Sequence, residues 1–150
     1  MQSIHFSVVP YNSELYFKTV ELRYEVLRRP LGLAFTTEQL LKEIKDIHLA
    51  GCDEAGRLRC CLVLTPIDEM TVQMRQVVVE NNAQGKGIGS KLVEYSEQIA
   101  SENGFEVMIL HARKSAVKFY TKHHYETVGE EFVEVNIPHR FMHKSLIERN

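Results

Sequence analysis

An excess of charge of either sign is missing from this chain: 150 residues carry 18 basic and 20 acidic side chains, a formal net charge of −2. Non-specific binding to nucleic acid, which needs surplus Lys and Arg, draws no support from that balance. An anionic ligand must therefore be held by a local site. Cysteine is scarce as well. Cys52, Cys60 and Cys61 are odd in number, lack Cys-x-x-Cys spacing and include an adjacent pair inside a strand-like run. That argues against a disulfide framework or a zinc site and for reduced, buried thiols. No apolar run approaches the ~20 residues of a membrane span. Met1-Gln2-Ser3-Ile4-His5 has neither a basic nor an apolar leader region, so no signal peptide is expected. Linkers, repeats and low-complexity stretches are absent too. What remains is ordinary: 44% apolar and 25% charged residues, in the length of one domain. The expectation is a single domain over 1–150 in the cytosol.

Ile4 to Val9 reads as a first strand, ended by Pro10. Asn12 or Ser13 can cap a helix with Leu15 or Tyr16, Val20, Tyr24 and Leu27 at helical spacing, stopped by Pro30 and Gly32. Thr36 and Gln39 form a capping box for a short helix carrying Leu40, Leu41 and Ile44. Strands are expected at 48–53 and 58–65 around a turn at Glu54-Ala55-Gly56, and from Thr71 to Val79. The run Val77-Val78-Val79 suits a strand buried on both faces. A helix follows from about Gly89 to Asn103, with Ile88, Leu92, Tyr95 or Ser96, and Ile99 as its apolar stripe and Gly104 as its cap. Phe105 to His111 completes a strand–helix–strand unit, so its two strands are expected to be parallel. Ser115 is placed to cap a short helix through Tyr120 to about His123, and the tail from Tyr125 to Leu146 alternates as two more strands. The reading is α/β (α+β): a mixed sheet with helices on both faces.

The chemistry concentrates in Gln84-Gly85-Lys86-Gly87-Ile88-Gly89-Ser90. Glycines at every second position, just where a helix begins, permit positive φ and close approach to the backbone. The first-turn amides have no internal partners, and the helix dipole adds about half a positive charge there. With Lys86, this is an anion site suited to phosphate or pyrophosphate. A P-loop requires glycine at 90 and Ser or Thr at 92, where Ser90 and Leu92 stand. A dinucleotide fingerprint requires glycine at 90 and a longer doubly wound domain. A merely flexible glycine turn stays open as the bland reading.

Val77-x-Val79 followed by Gln84-Gly85-Lys86-Gly87-Ile88-Gly89 resembles motif A of the GNAT superfamily of N-acetyltransferases. The family's second signature, Ala-x-x-Phe-Tyr-x-Lys-x-Gly-Phe, has its counterpart in Ala116-Val117-Lys118-Phe119-Tyr120-Thr121-Lys122-His123-His124-Tyr125. The ending, Gly129-Glu130-Glu131-Phe132 leading to Ile137-Pro138-His139 and Met142, is similar to the ElaA-like branch. The resemblance covers about residues 70–146 and is fainter in 22–26 and around His48. It departs from the family at His124 for glycine, Arg113 for asparagine, Pro30-Leu31 for Glu-Gln and Asn136 for glycine.

The resemblance implies a mostly antiparallel GNAT sheet with a central parallel strand pair. It also implies acetyl-coenzyme A as co-substrate and transfer of acetyl to a primary amine by direct attack, with no metal. Cofactor contacts would come from Val77, Val78, Val79, Gln84, Gly85, Lys86, Gly87, Ile88, Gly89 and Ser90, and from His111, Arg113, Ala116, Phe119 and Tyr120. Pantetheine would pair with Val77 and Val79 as an added strand, and Tyr120 matches the family's general acid. His111, at the end of its strand, and His139 are both candidate bases, and either can equally be a structural histidine. Glu130, Glu131 and Glu134 suit a cationic acceptor or simply a solvated edge strand. His123-His124 lacks a ligand-spaced carboxylate or cysteine, so no metal is expected. The acceptor is expected to be a small-molecule amine rather than a protein, without nucleic acid or membrane, acting on a monomer or homodimer. Two other classes stay open: a non-catalytic acyl-CoA-binding module of the same fold, and a nucleotide-binding protein.

Overall fold

In the computed structural model, which describes residues 3–85 and 87–147, seven strands join in one sheet. They are β1 (His5–Val9), β2 (Ile47–Cys52), β3 (Leu58–Pro66), β4 (Thr71–Val79), β5 (Val107–Arg113), β6 (Glu126–Glu134) and β7 (Ile137–Ser145). Their order is β1-β2-β3-β4-β5-β7-β6, and every neighbouring pair is antiparallel except β4 with β5. This is the expected mixed sheet with its central parallel pair. β5 starts two residues later than the sequence suggests. Gly104 turns through a φ of +89° and the Phe105 amide closes the preceding helix on Ala100 O at 3.0 Å, so Phe105 belongs to the cap.

The helices are α1 (Glu14–Arg23), α2 (Thr37–Leu41), α3 (Ile88–Glu102) and α4 (Val117–Lys122). Ser13, not Asn12, caps α1 by accepting the Tyr16 amide at 3.1 Å. Beyond Arg23 the chain widens into a π turn over Tyr24–Arg28, tightens into a 3₁₀ turn with Pro30, and stops at Gly32 with φ +70°. The Thr36–Gln39 capping box forms as expected, but Leu41 and Ile44 are exposed, because α2 gives way to a 3₁₀ turn at Lys42. Ser115 does not cap α4. It lies inside a 3₁₀ turn, Lys114–Ala116, and Ala116 precedes the helix without a side-chain cap.

Alternation along β3 assigns the two faces. Cys60, Leu62 and Leu64 pack with Leu92, Val93 and Ala100 of α3 and Tyr120 of α4, whereas Cys61 packs with Tyr16 of α1. The fully buried residues of α1 are Tyr16, Thr19 and Arg23, and Leu15, Val20 and Leu27 of the expected stripe pack half-buried beside them. Arg23 is fully buried because Glu43 meets it in a two-pronged ion pair, with Nη1 donating to Oε1 at 2.9 Å. The Tyr16 hydroxyl donates to the same carboxylate at 3.0 Å, and His48 Nε2 donates to the Glu43 carbonyl at 2.9 Å. Burial pushes the Glu43 carboxyl up, but the hydrogen bonds and charge of Arg23 and the Tyr16 hydroxyl outweigh it and leave the pKa below the ordinary value.

One feature of β4 positions everything that follows. Its register with β3 gains a residue between Arg75 and Val78, and Gln76 takes a φ of +56°. That extra residue is a bulge, which bends the strand and reverses its alternation. Val72 and Met74 therefore face α3, whereas Val78 faces α1 and Val77 and Val79 turn to the α3 side. Both faces of the valine run are occupied, but Val77 and Val79 are only half-buried.

Candidate active site

The parallel ladder between β4 and β5 runs from Thr71–Val107 to Met74–Leu110 and ends there. The bulge carries β4 away, β5 continues with β7, and the central strands part. A cavity of about 630 Å³ fills the gap, within the ordinary range for small-molecule sites. Met74, Gln76 and Val77 line one side, Leu110 to Arg113 the other, and Tyr120 and His139 also reach it. Of the residues singled out from the sequence, Val77, His111, Arg113, Ala116, Tyr120, Glu134 and His139 share this space. Val78 is buried toward α1, and Val79, Phe119 and the described residues of the glycine turn do not line it.

Tyr120 is held by edge-on contacts with Phe119 and Tyr125, ring centres 5.1 and 5.8 Å away. Burial pushes its phenol up to about 12. Among the described residues its hydroxyl makes no hydrogen bond, which leaves the proton available to a guest.

The two histidines meet at one carboxylate. His111 Nδ1 lies 3.1 Å from Glu134 Oε1, and His139 Nε2 lies 3.6 Å from Glu134 Oε2. A carboxylate only accepts, so Nδ1 of His111 donates the hydrogen. His139 donates Nδ1–H to the Ile137 carbonyl at 2.7 Å. Its Nε2 stands beyond hydrogen-bond distance of Glu134. Glu134 thus fixes the ring of His111, and the Ile137 carbonyl fixes that of His139.

Residues 84–90 open α3. Gly85 and Gly87 adopt φ of +80° and +77°, and a Cβ at either would meet nothing within 4 Å. Gly87 precedes the helix without a side-chain cap, so the amides of Ile88, Gly89 and Ser90 head an uncapped 15-residue helix. Gly89 differs: its φ is helical and a Cβ there would make ordinary contacts with Phe119 at 3.5 Å and Val79 at 3.6 Å, so a side chain would fit. The Gln84 side chain turns back to donate to the Val79 carbonyl at 3.0 Å and to Asn81 at 3.1 Å, fastening the turn to β4. Lys86 lies outside the described residues.

Several departures from the family pattern now have a physical meaning. His124 stands at φ +70° and Asn136 at φ +63°, left-handed positions where glycine is unstrained. Val135, at φ +46°, makes the first half of a tight β6–β7 turn, an unusual conformation for a β-branched residue. Val135 also lines the cavity, as do Leu27, Arg28, Arg75 and Gln76. Sequence patterning misses all five, because a polar residue in a strand reads as solvent-facing and a bulge has no periodic signature. Glu130 and Glu131 are exposed on the edge strand β6, with Glu131 paired to Lys114 at 3.2 Å, so they stand apart from Glu134.

A mostly antiparallel sheet, parting at its one parallel pair over a glycine-turned helix start, defines the fold of acyl-CoA N-acyltransferases. The profile of the acetyltransferase (GNAT) domain matches residues 33–146, and the chain belongs to that family. A protein of Bacillus subtilis (strain 168) whose name proposes acetyltransferase activity is 32% identical over 74 residues, which are 49% of this chain and 50% of that one. The chain thus spans about half the length of the curated relatives it matches. The crystal structure of Escherichia coli ElaA superposes with a TM-score of 0.77 at 17% identity, covering 96% of this chain and 99% of that one. An aminoglycoside 6'-N-acetyltransferase solved with coenzyme A superposes with a TM-score of 0.81 at 18% identity, covering 97% of this chain and 99% of its own. Acetyl-CoA is therefore the group to test against the site. The residues fit it: an uncapped helix start with two open left-handed glycines can take a diphosphate, and the parted strands can take the arm that follows.

Proposed function

We propose that this protein transfers an acetyl group from acetyl-CoA to the primary amine of a small molecule, by direct attack in the cleft between β4 and β5. The observation that carries this reading is the convergence of Tyr120, His111 and Glu134 on the cavity left by the β4 bulge. Amides of residues 85–90 hold the diphosphate, and the backbone of Val77 with the amide of Val79, beyond the end of the β4–β5 ladder, aligns the pantetheine, the Val79 carbonyl being taken by Gln84. Acetyl-CoA supplies the thioester carbon that the amine attacks.

An alkylammonium has a pKa near 10.4, so about one molecule in a thousand is neutral at pH 7. His111 takes the surplus proton at Nε2, while Glu134 fixes the ring through Nδ1, as a carboxylate does behind a catalytic imidazole. His139, held by the Ile137 carbonyl, shapes the wall. Tyr120 donates its phenol proton to the departing sulfur. Burial keeps that proton on the phenol until the thiolate forms beside it.

Thiol release with acetyl-CoA against a panel of amines tests the reading. Turnover with at least one small amine, lowered in both Tyr120→Phe and His111→Gln, is expected. Tight acetyl-CoA binding without turnover on any amine would favour a non-catalytic acyl-CoA module instead. Thermal stabilisation by ATP or NAD but not by CoA would favour a nucleotide-binding protein.

A further inference from the structure

The cavity wall carries charge that acetyl transfer itself does not require. Arg28 comes from the π turn after α1, Arg75 from β4 just before its bulge, and Arg113 from the end of β5, and all three line the cavity. Among the described residues none of the three is paired with a carboxylate, whereas the buried arginines Arg23 and Arg59 both are. The Arg28 guanidinium rests on the Phe35 ring, 4.8 Å from its centre, and Arg23 approaches the same ring at 4.7 Å. Burial first, then the positive charges of Arg23, Arg75 and Arg113, push the Arg28 pKa down from its ordinary value, with Glu134 opposing. Arginine does not give up its proton in proteins, so this shift registers a positive potential in the cleft. Glu134 is the one carboxylate among the described residues of the lining, and His111 holds one of its oxygens at 3.1 Å. A chain of net charge −2 has thus gathered three free guanidiniums around one pocket.

We propose that the acceptor amine carries an anionic group, a carboxylate or phosphate, which Arg28 and Arg75 hold while the amine meets His111. This rests on the transferase reading above and names its substrate class. A cationic acceptor, the partner that the glutamates of β6 suggest, would meet like charge here. The diphosphate of acetyl-CoA is the competing guest for these arginines. Its proposed turn, however, begins beyond Val79, about 13 Å along the strand from Arg75 at ~3.3 Å per residue, and no described residue of that turn lines the cavity.

The test pairs β-alanine with β-alaninamide and phosphoethanolamine with ethanolamine, and adds putrescine as a cationic arm. Each is followed by thiol release and by calorimetric titration of the CoA-loaded protein. An anionic neighbour makes an amine more basic and so less often neutral, and intrinsic reactivity therefore works against the predicted preference. Each anionic member should nonetheless show kcat/KM about tenfold or more above its neutral partner, the scale of one charge-assisted hydrogen bond. Arg28→Ala and the exposed, fold-neutral Arg75→Gln should each remove most of that advantage through KM, leaving CoA affinity within about twofold. Arg75→Glu should turn the preference toward putrescine. Equal or better use of putrescine by the wild type, an anion preference untouched by either substitution, or absence of binding by every amine would overturn the proposal. So would loss of CoA affinity in place of acceptor discrimination, which would hand these arginines to the cofactor. A prior titration of acetyl-CoA alone separates the two levels: its failure would strike the transferase reading itself.

Discussion

Removing the Tyr120 hydroxyl isolates one proton. The ring is packed by Phe119 and Tyr125 and the residue is 7% exposed, yet the hydroxyl makes no hydrogen bond among the described residues. Tyr120→Phe therefore keeps the packing and leaves no protein group unpaired, so stability should change by no more than about 0.5 kcal/mol. Acetyl-CoA affinity should also hold, because the diphosphate turn and the backbone of β4 are untouched. Turnover should fall tenfold or more, since a positioned proton donor is ordinarily worth about a hundredfold or more. Steady-state thiol release with the best acceptor reads both constants, and a melting curve reads the fold. The pH profile adds a second reading. With its phenol pushed up to about 12, Tyr120 stays protonated across the accessible range, so wild-type kcat should show no alkaline limb from this residue below about pH 11. Unchanged kcat in the Phe variant would remove Tyr120 from proton transfer. Parallel loss of kcat and melting temperature would assign it to packing.

The remaining predictions concern the frame around the site. Glu43→Ala leaves Arg23 charged and fully buried and should destabilise the fold by about 3–5 kcal/mol by denaturant unfolding; a loss under 1 kcal/mol would contradict the assigned burial. Because the Glu43 carboxyl is depressed in the fold, its contribution is present above the unfolded pKa of about 4.3 and is lost as pH falls through the lower folded value. Acid unfolding should accordingly flatten in a variant lacking it. Gly89→Ala meets only ordinary contacts and should keep CoA affinity within a few-fold, whereas Gly87→Ala forces a side chain to φ +77° and should cost about 1–2 kcal/mol and weaken CoA. Equal behaviour in the two variants, by calorimetry and melting, would refute the division of roles. Burial raises all three thiols, but only Cys52 is partly exposed, so native labelling should modify Cys52 alone, with Cys60 and Cys61 reacting after unfolding.

What the sequence made legible was local or repeated. The capping box at Thr36, the β4 boundaries, the parallel pair and the stripe Ile88–Leu92–Ser96 all follow from short-range rules of spacing. The cleft was legible only through paired signatures, because its geometry hangs on one inserted residue. Nothing in Gln73-Met74-Arg75-Gln76 distinguishes a bulge from a regular strand, and parity fails only when the register with β3 is known. The buried Arg23 was equally opaque, since its partner Glu43 lies 20 residues away and an arginine on a helix face reads as solvated. Arg28, Arg75 and Arg113 converge from elements distant in the chain, so their shared potential appears only in the assembled fold. Spacing alone also does not separate Gly85 and Gly87, which need a left-handed φ, from Gly89, which lies inside the helix.

The central claim is that main-chain amides following Gln84 hold a diphosphate. Calorimetric titration of the protein with acetyl-CoA and, separately, with S-acetylpantetheine, which has the same arm without the nucleotide diphosphate, tests it most directly. Saturable heat is expected with acetyl-CoA, with affinity at least about a hundredfold weaker for the truncated thioester, the worth of two charge-assisted hydrogen bonds. Equal affinity for the two, or no heat with acetyl-CoA, would contradict it.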